Sequence, residues 1–129
     1  QLTKVVSAIS ALSEEMKIEI ALFGHAGDGT LHPNVLFNPN DQTEREKVKQ
    51  VLAGIAQIGI NAGGVLSGEH GLGLVKKGFV PLMYDWPTIR RMKALKQKLD
   101  PAGTLNPNIM WPEEKVPREQ QSTCVQRRE

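Results

Sequence analysis

The sequence predicts an α+β fold, a mainly antiparallel sheet with helices on one face, and three observations carry that prediction. Apolar residues recur at helical spacing in three separate stretches, and stretches of alternating or extended character lie between them. A composition of 40% hydrophobic and 23% charged residues over 129 positions suits one soluble globular domain.

The first stretch places Leu2, Val5, Val6, Ile9, Leu12 and Met16 on one side and Lys4, Ser7, Ser10 and Glu14 on the other, an amphipathic helix. From Lys17 to Phe23 the period changes to alternation, and extended character resumes at Val35 to Phe37 after Pro33, which predicts two strands around a loop. The segment "NPNDQTER" offers Asn and Asp as an N-cap. Val48, Val51, Leu52, Ile55 and Ile58 then mark a second helix that ends near Asn61-Ala62-Gly63-Gly64. Val65 and Leu66 are expected as a short strand before the glycine-rich "SGEHGLGLVKKG". A third helix, from about Pro87 to Leu99, turns Ile89, Met92, Leu95 and Leu99 inward and Arg90, Arg91, Lys93, Lys96 and Lys98 outward, and Asp100-Pro101 stops it. "GTLNPNIMWP" follows as an irregular, proline-punctuated run, and beyond Glu113 the chain is polar and expected to be disordered. The order helix, strand, strand, helix, strand, helix fits part of a ferredoxin-like, split β-α-β arrangement over residues 1–113, with 114–129 as a tail.

Charge and cysteine content narrow the function classes. A net charge of +2, with the basic excess on one helix and the last residues, gives no footprint for nucleic acid, and the basic stripe reads as a solvated face. Cys124 is the only cysteine, so no internal disulfide can form and no oxidising compartment is implied. No apolar run approaches the ~20 residues of a membrane span, and the N-terminus lacks a signal-peptide pattern. The expected location is the cytoplasm, with peripheral association at a membrane as the alternative. The chain starts at Gln1 without Met, and we expect a piece of something longer.

The segment "LFGHAGDGTLHPNVLF", residues 22–37, carries more chemistry than a turn requires. All three histidines, His25, His32 and His70, fall in this segment or in the second glycine-rich stretch, together with Asp28 and Glu69. If each loop follows a strand, one sheet edge brings them together, and two imidazoles with one carboxylate are a common catalytic metal shell with open positions. For any single histidine the ordinary alternative is a satisfied structural residue. Asp28 reads as a turn-former or a partner of a histidine rather than a ligand. A phosphate loop is excluded, because "GHAGDGT" has no Gly-Lys-Ser/Thr ending and leads into a strand. A dinucleotide fingerprint is excluded as well: after Gly71 and Gly73, position 76 is Lys76.

"GHAGDGTLHPNV", "GGVLSGEHGLGLVKKG" and "LKQKLDPAGTLNPNIMWP", in that order over about residues 17–112, closely resemble the C-terminal domain of FAD-linked 2-hydroxyacid oxidases and dehydrogenases. These include the glycolate oxidase D subunit, D-lactate dehydrogenases and D-2-hydroxyglutarate dehydrogenase, among the vanillyl-alcohol-oxidase-type flavoproteins. The resemblance implies a cap, or substrate, domain in which His25, His32 and Glu69 hold a divalent metal, zinc or manganese. It implies His70 as the catalytic base, Asn34 near the substrate and Asn106 beside the flavin. Thr30 departs from the family pattern, where many relatives carry asparagine, and bears on the loop's hydrogen bonds more than on the ligands.

The resemblance also implies an N-terminal FAD domain and the front half of the cap, with basic residues for the substrate carboxylate, neither present in these residues, so the chain reads as the last quarter or so of an enzyme. The implied reaction is oxidation of a small D-2-hydroxy acid of the glycolate or D-lactate type to the 2-oxo acid, with hydride passing to flavin N5 and onward transfer to an electron-acceptor protein or a quinone. Alone, the chain is expected neither to hold FAD nor to turn over substrate. The alternatives are a non-catalytic metal-binding module and a truncated one.

Overall fold

The computed structural model describes residues 1–114. The expected disordered tail and Cys124 therefore lie, apart from Glu114, outside the described residues. Helix α1, Leu2–Met16, is followed by strands β1, Glu19–His25, and β2, Thr30–Leu36. Helix α2, Gln42–Asn61, a 3-10 turn at Lys77–Leu82 and helix α3, Trp86–Leu99, complete the order. The fold is α+β, with β1 and β2 paired antiparallel.

Each boundary has a local cause. Lys17 adopts a left-handed conformation (φ 52°) and returns its N–H to Glu14, while Ile18 reaches back to Ser13 at 3.2 Å and buries its side chain, closing α1. Asp41 caps α2 by accepting from the N–H groups of Thr43 and Glu44, and the Glu44 carboxylate ties down the preceding loop by accepting the N–H of Asn38. Asp85 caps α3 through the Thr88 N–H, with Pro87 in the first turn where a missing N–H costs nothing.

The core is small: Ile9, Ile18, Val48, Val51, Val80 and Ile89 are its buried apolar residues. In the hairpin, Ile20, Leu22, Leu31, Pro33 and Val35 form the half-buried face, whereas Ala21, Phe23, His25 and Asn34 share the other, more open face. α1 and α2 approach closely at Gly54, where a Cβ would stand 2.8 Å from a Leu12 methyl carbon.

Four expectations need correction. Val65–Leu66 is not a strand: among the described residues no third strand lies beside the hairpin, Val65 is exposed and the Leu66 N–H points to Met83 Sδ. The hairpin runs further than expected, so His25 and His32 stand on its strands, and the loop between them is only residues 26–29. Pro33 does not break β2, because β2 is an edge strand, where a missing N–H is tolerated. In α3 only Ile89 is buried and Met92 half-buried. Leu95 and Leu99 are exposed, since nothing among the described residues covers them.

Candidate metal centre

The hairpin register sets the first half of the site. Phe23 pairs with His32 and His25 with Thr30, so both imidazoles lie on one face near the turn. The rings of His25 and His32 meet edge-on at 5.2 Å, and Phe23 covers the other flank of His32 at 5.4 Å. The strands can come this close because Gly24 has no side chain: a Cβ there would lie 2.1 Å from the Thr30 carbonyl oxygen. Asp28 organises the turn. Its carboxylate accepts the Thr30 N–H at 2.8 Å, and this bond holds the carboxyl below its ordinary range. Asp28 is thus the turn-former that its place in the glycine-rich knot suggests.

The second half arrives from the connection after α2, not from a strand as expected. Gly63, in a left-handed conformation, and Gly64, whose N–H returns to Gly59, turn the chain out of α2, and Gly71 (φ +72°) bends it again. Between these bends Glu69 faces the hairpin. Its Oε1 lies 3.3 Å from His25 Nε2, and its Oε2 lies 3.9 Å from His32 Nε2 and 3.7 Å from His70 Nε2. The His70 ring stacks on His32 at 5.5 Å. Adjacent residues on an extended strand would point apart, but this segment is bent, so Glu69 and His70 converge.

The donor atoms of His25, His32 and Glu69 all lie within 4.8 Å of one another. This is a borderline-soft N2O set with open positions, and its chemistry fits zinc or manganese. His32 is the most sheltered of the three imidazoles, with 19% of its side chain exposed against 57% for His25 and 76% for His70. A cavity of about 730 Å³ opens beside the group, with Asn34, Phe23, Leu52 and Phe79 in its walls. Asn34 therefore stands with the cluster. Asn106 does not: it sits at φ 47° on the run after α3 and lines neither this cavity nor the smaller one beyond it. That run packs instead against the second glycine-rich segment, through Met110 N–H to the Gly73 carbonyl and Lys77 Nζ to the Asn108 carbonyl.

Three residues at the site went unremarked in the sequence as chemistry: Phe23, Ser67 and Lys76. Ser67 and Lys76 flank "GEHG" closely enough that proximity alone was a signal, whereas the covering role of Phe23 needed the strand register.

An α+β domain that offers two imidazoles and a carboxylate at the mouth of a part-apolar cavity has the donor set and shape of a candidate small-molecule site. The chain belongs to the family described as "FAD linked oxidases, C-terminal domain", which matches residues 1–109. It is 38% identical over 111 residues to glycolate oxidase subunit GlcD of Bacillus subtilis (strain 168), covering 86% of this chain and 24% of that protein. With glycolate oxidase subunit GlcD of Escherichia coli (strain K12) it shares 34% identity over 103 residues, covering 80% of this chain and 21% of the relative. With the mitochondrial D-lactate dehydrogenase [cytochrome] of Kluyveromyces lactis the identity is 32% over 113 residues, covering 85% and 19%. The chain thus spans about a fifth to a quarter of the length of the curated relatives it matches.

Proposed function

We propose that this chain is the metal- and substrate-binding portion of an FAD-dependent oxidoreductase that converts a small D-2-hydroxy acid, of the glycolate or D-lactate type, to its 2-oxo acid. The observation that carries the reading is the convergence of His25, His32 and Glu69 within 4.8 Å, in a chain of the FAD-linked oxidase family. His25 and His32 bind zinc or manganese through imidazole nitrogens and Glu69 through one carboxylate oxygen. When bound, the metal supplies Lewis acidity toward the substrate's oxygens and the flavin accepts the C2 hydride. His70, the most open of the three imidazoles, takes the hydroxyl proton as the C2–H bond breaks, so the substrate loses one proton and one hydride. Asn34 orients the substrate from the cavity wall, and Asn106, outside that wall, is assigned to the flavin on the family resemblance alone. The remaining parts are an FAD domain elsewhere in the enzyme and an electron acceptor, protein or quinone. The location we propose is the cytoplasm, with peripheral association at a membrane as the alternative; no helix among the described residues is long and apolar enough to cross a membrane.

Metal analysis of the flavoprotein that carries this chain tests the assignment. The wild type should hold about one equivalent of metal. A His25→Ala/His32→Ala double variant should hold almost none; full stoichiometry in that variant would remove the metal reading.

A further inference from the structure

Glu69 sits in a stretch that the rest of the molecule holds loosely. Among the described residues, 65–71 make no backbone–backbone hydrogen bond, and the Leu66 N–H reaches the weak acceptor Met83 Sδ at 3.4 Å. Upstream the stretch is anchored where the Gly64 N–H returns to Gly59 of α2 at 2.9 Å. Downstream the anchor is the turn closed by the Lys76 N–H on the Leu72 carbonyl at 3.1 Å, and the run after α3, residues 105–114, grips that turn from outside. Met110 donates its N–H to the Gly73 carbonyl at 3.3 Å, and Lys77 Nζ donates to the Asn108 carbonyl at 3.3 Å. The run is itself pinned at both ends. Asp100 accepts the N–H groups of Thr104 and Leu105 at its start, and at its end Lys93 Nζ reaches the Pro112 carbonyl at 3.4 Å while Arg90 pairs with Glu114 at 2.6 Å. Two residues of the basic stripe thus do more than face solvent. Between the pins Met110 stands at φ 78°, a strained value for a bulky side chain that persists only where surrounding contacts over-determine it, and Pro112 is buried.

We infer that this strap, residues 105–114, positions Glu69 for metal binding, with Lys77 as the positioning residue that ties strap and stretch together. The inference rests on the metal reading above. A ligand carried on a stretch without backbone hydrogen bonds of its own must be ordered when the ion arrives, and the entropy of that ordering is subtracted from affinity. Holding the chain at Gly73, four residues on from Glu69, removes part of that cost in advance. By linkage, an ion held by Glu69 favours the closed strap by the same factor that the closed strap favours the ion. The strap and the His25–His32–Glu69 group are thereby coupled, although the strap contributes no ligand to that group.

The test uses the flavoprotein that carries this chain, stripped of metal and titrated with Mn2+, with affinity read by the electron paramagnetic resonance of free Mn2+ and backbone ordering by hydrogen exchange. Mn2+ should slow exchange in peptides covering 105–112, which contain no ligand. Lys77→Met, which keeps the apolar stem and loses the donor, should weaken Mn2+ about three- to tenfold and abolish that slowing, while the thermal midpoint of the metal-free protein stays at the wild-type value. Lys77→Arg should recover both. Wild-type Mn2+ affinity in Lys77→Met, a lowered metal-free midpoint, a loss that Lys77→Arg does not recover, or strap exchange that Mn2+ leaves unchanged overturns the inference and leaves the metal reading standing. If the wild type takes up no Mn2+, the metal reading fails on its own. Exchange of residues 65–76 in the metal-free protein then decides the role of the strap: faster exchange in Lys77→Met than in the wild type and Lys77→Arg upholds it, and equal rates overturn it.

Discussion

At the residue scale the division of labour we propose between Glu69 and His70 is the sharpest point to test. Among the described residues Glu69 is the one carboxylate in reach of all three imidazoles, and His70 meets the cluster through it and through its stack on His32. In the flavoprotein carrying this chain, His70→Ala should keep metal and FAD but slow flavin reduction by a D-2-hydroxy acid about 10²–10⁴-fold, read by stopped-flow bleaching. Glu69→Ala should lose metal first. Near-normal reduction in His70→Ala would return His70 to a structural role. These residues were legible as a set because every histidine falls in two short glycine-rich stretches. Which of them meet was not legible, since that depends on strand register and on a bend at Gly71.

At the element scale the hairpin and the end of α3 carry the most specific expectations. Gly24→Ala would drive a Cβ to 2.1 Å from a backbone oxygen that cannot move without the strand. It should cost about 1–3 kcal/mol in urea denaturation and weaken metal binding, because His25 and His32 depend on the same register. At the other end, the Asp100 carboxylate is buried and accepts the N–H groups of Thr104 and Leu105 at 3.0 Å each, with Lys96 paired to it from the last turn of α3. The Lys96 ammonium, then these amides, pull its carboxyl from the ordinary 3.8 to about 2. A carboxyl depressed in the folded state contributes stability that is complete above about pH 4 and is lost as pH falls toward 2. Acid unfolding followed by circular dichroism should therefore show a step in that window, and Asp100→Asn should remove it and lower the thermal midpoint by several degrees. The sequence marked Asp100-Pro101 as a stop; that the aspartate also organises the next five residues is visible only in the folded chain.

At the scale of the whole molecule, the balance of buried and exposed apolar surface is unusual. Six buried apolar residues form the core, while Val65, Leu74, Val75, Leu95, Leu99 and Leu105 are each about 60% exposed or more. Stability so concentrated makes single truncations expensive: Ile89→Ala, at a fully buried position, should cost about 2–5 kcal/mol and leave the isolated chain largely unfolded at 25 °C. The same surface predicts that the isolated chain binds the dye ANS and self-associates at high concentration. A monomer with a sharp two-state transition and no dye binding would mean that the small core suffices.

The sequence by itself determined the three helices, the cap of α2, the α+β class and the family, because amphipathic spacing, the Asp of "NPND" and the ordered motifs are local signals read over a few residues. It placed His70 in a loop, correctly, but it also placed His25 and His32 in one and a strand at Val65–Leu66, and there it was wrong. A strand exists only with a partner to accept its hydrogen bonds, and pairing is a property of two distant segments. The tertiary structure alone decided that His25 and His32 share a strand face, that Glu69 reaches both, and that Leu95 and Leu99 stay uncovered. Each depends on what lies across from a residue in space, which its neighbours in the chain do not specify.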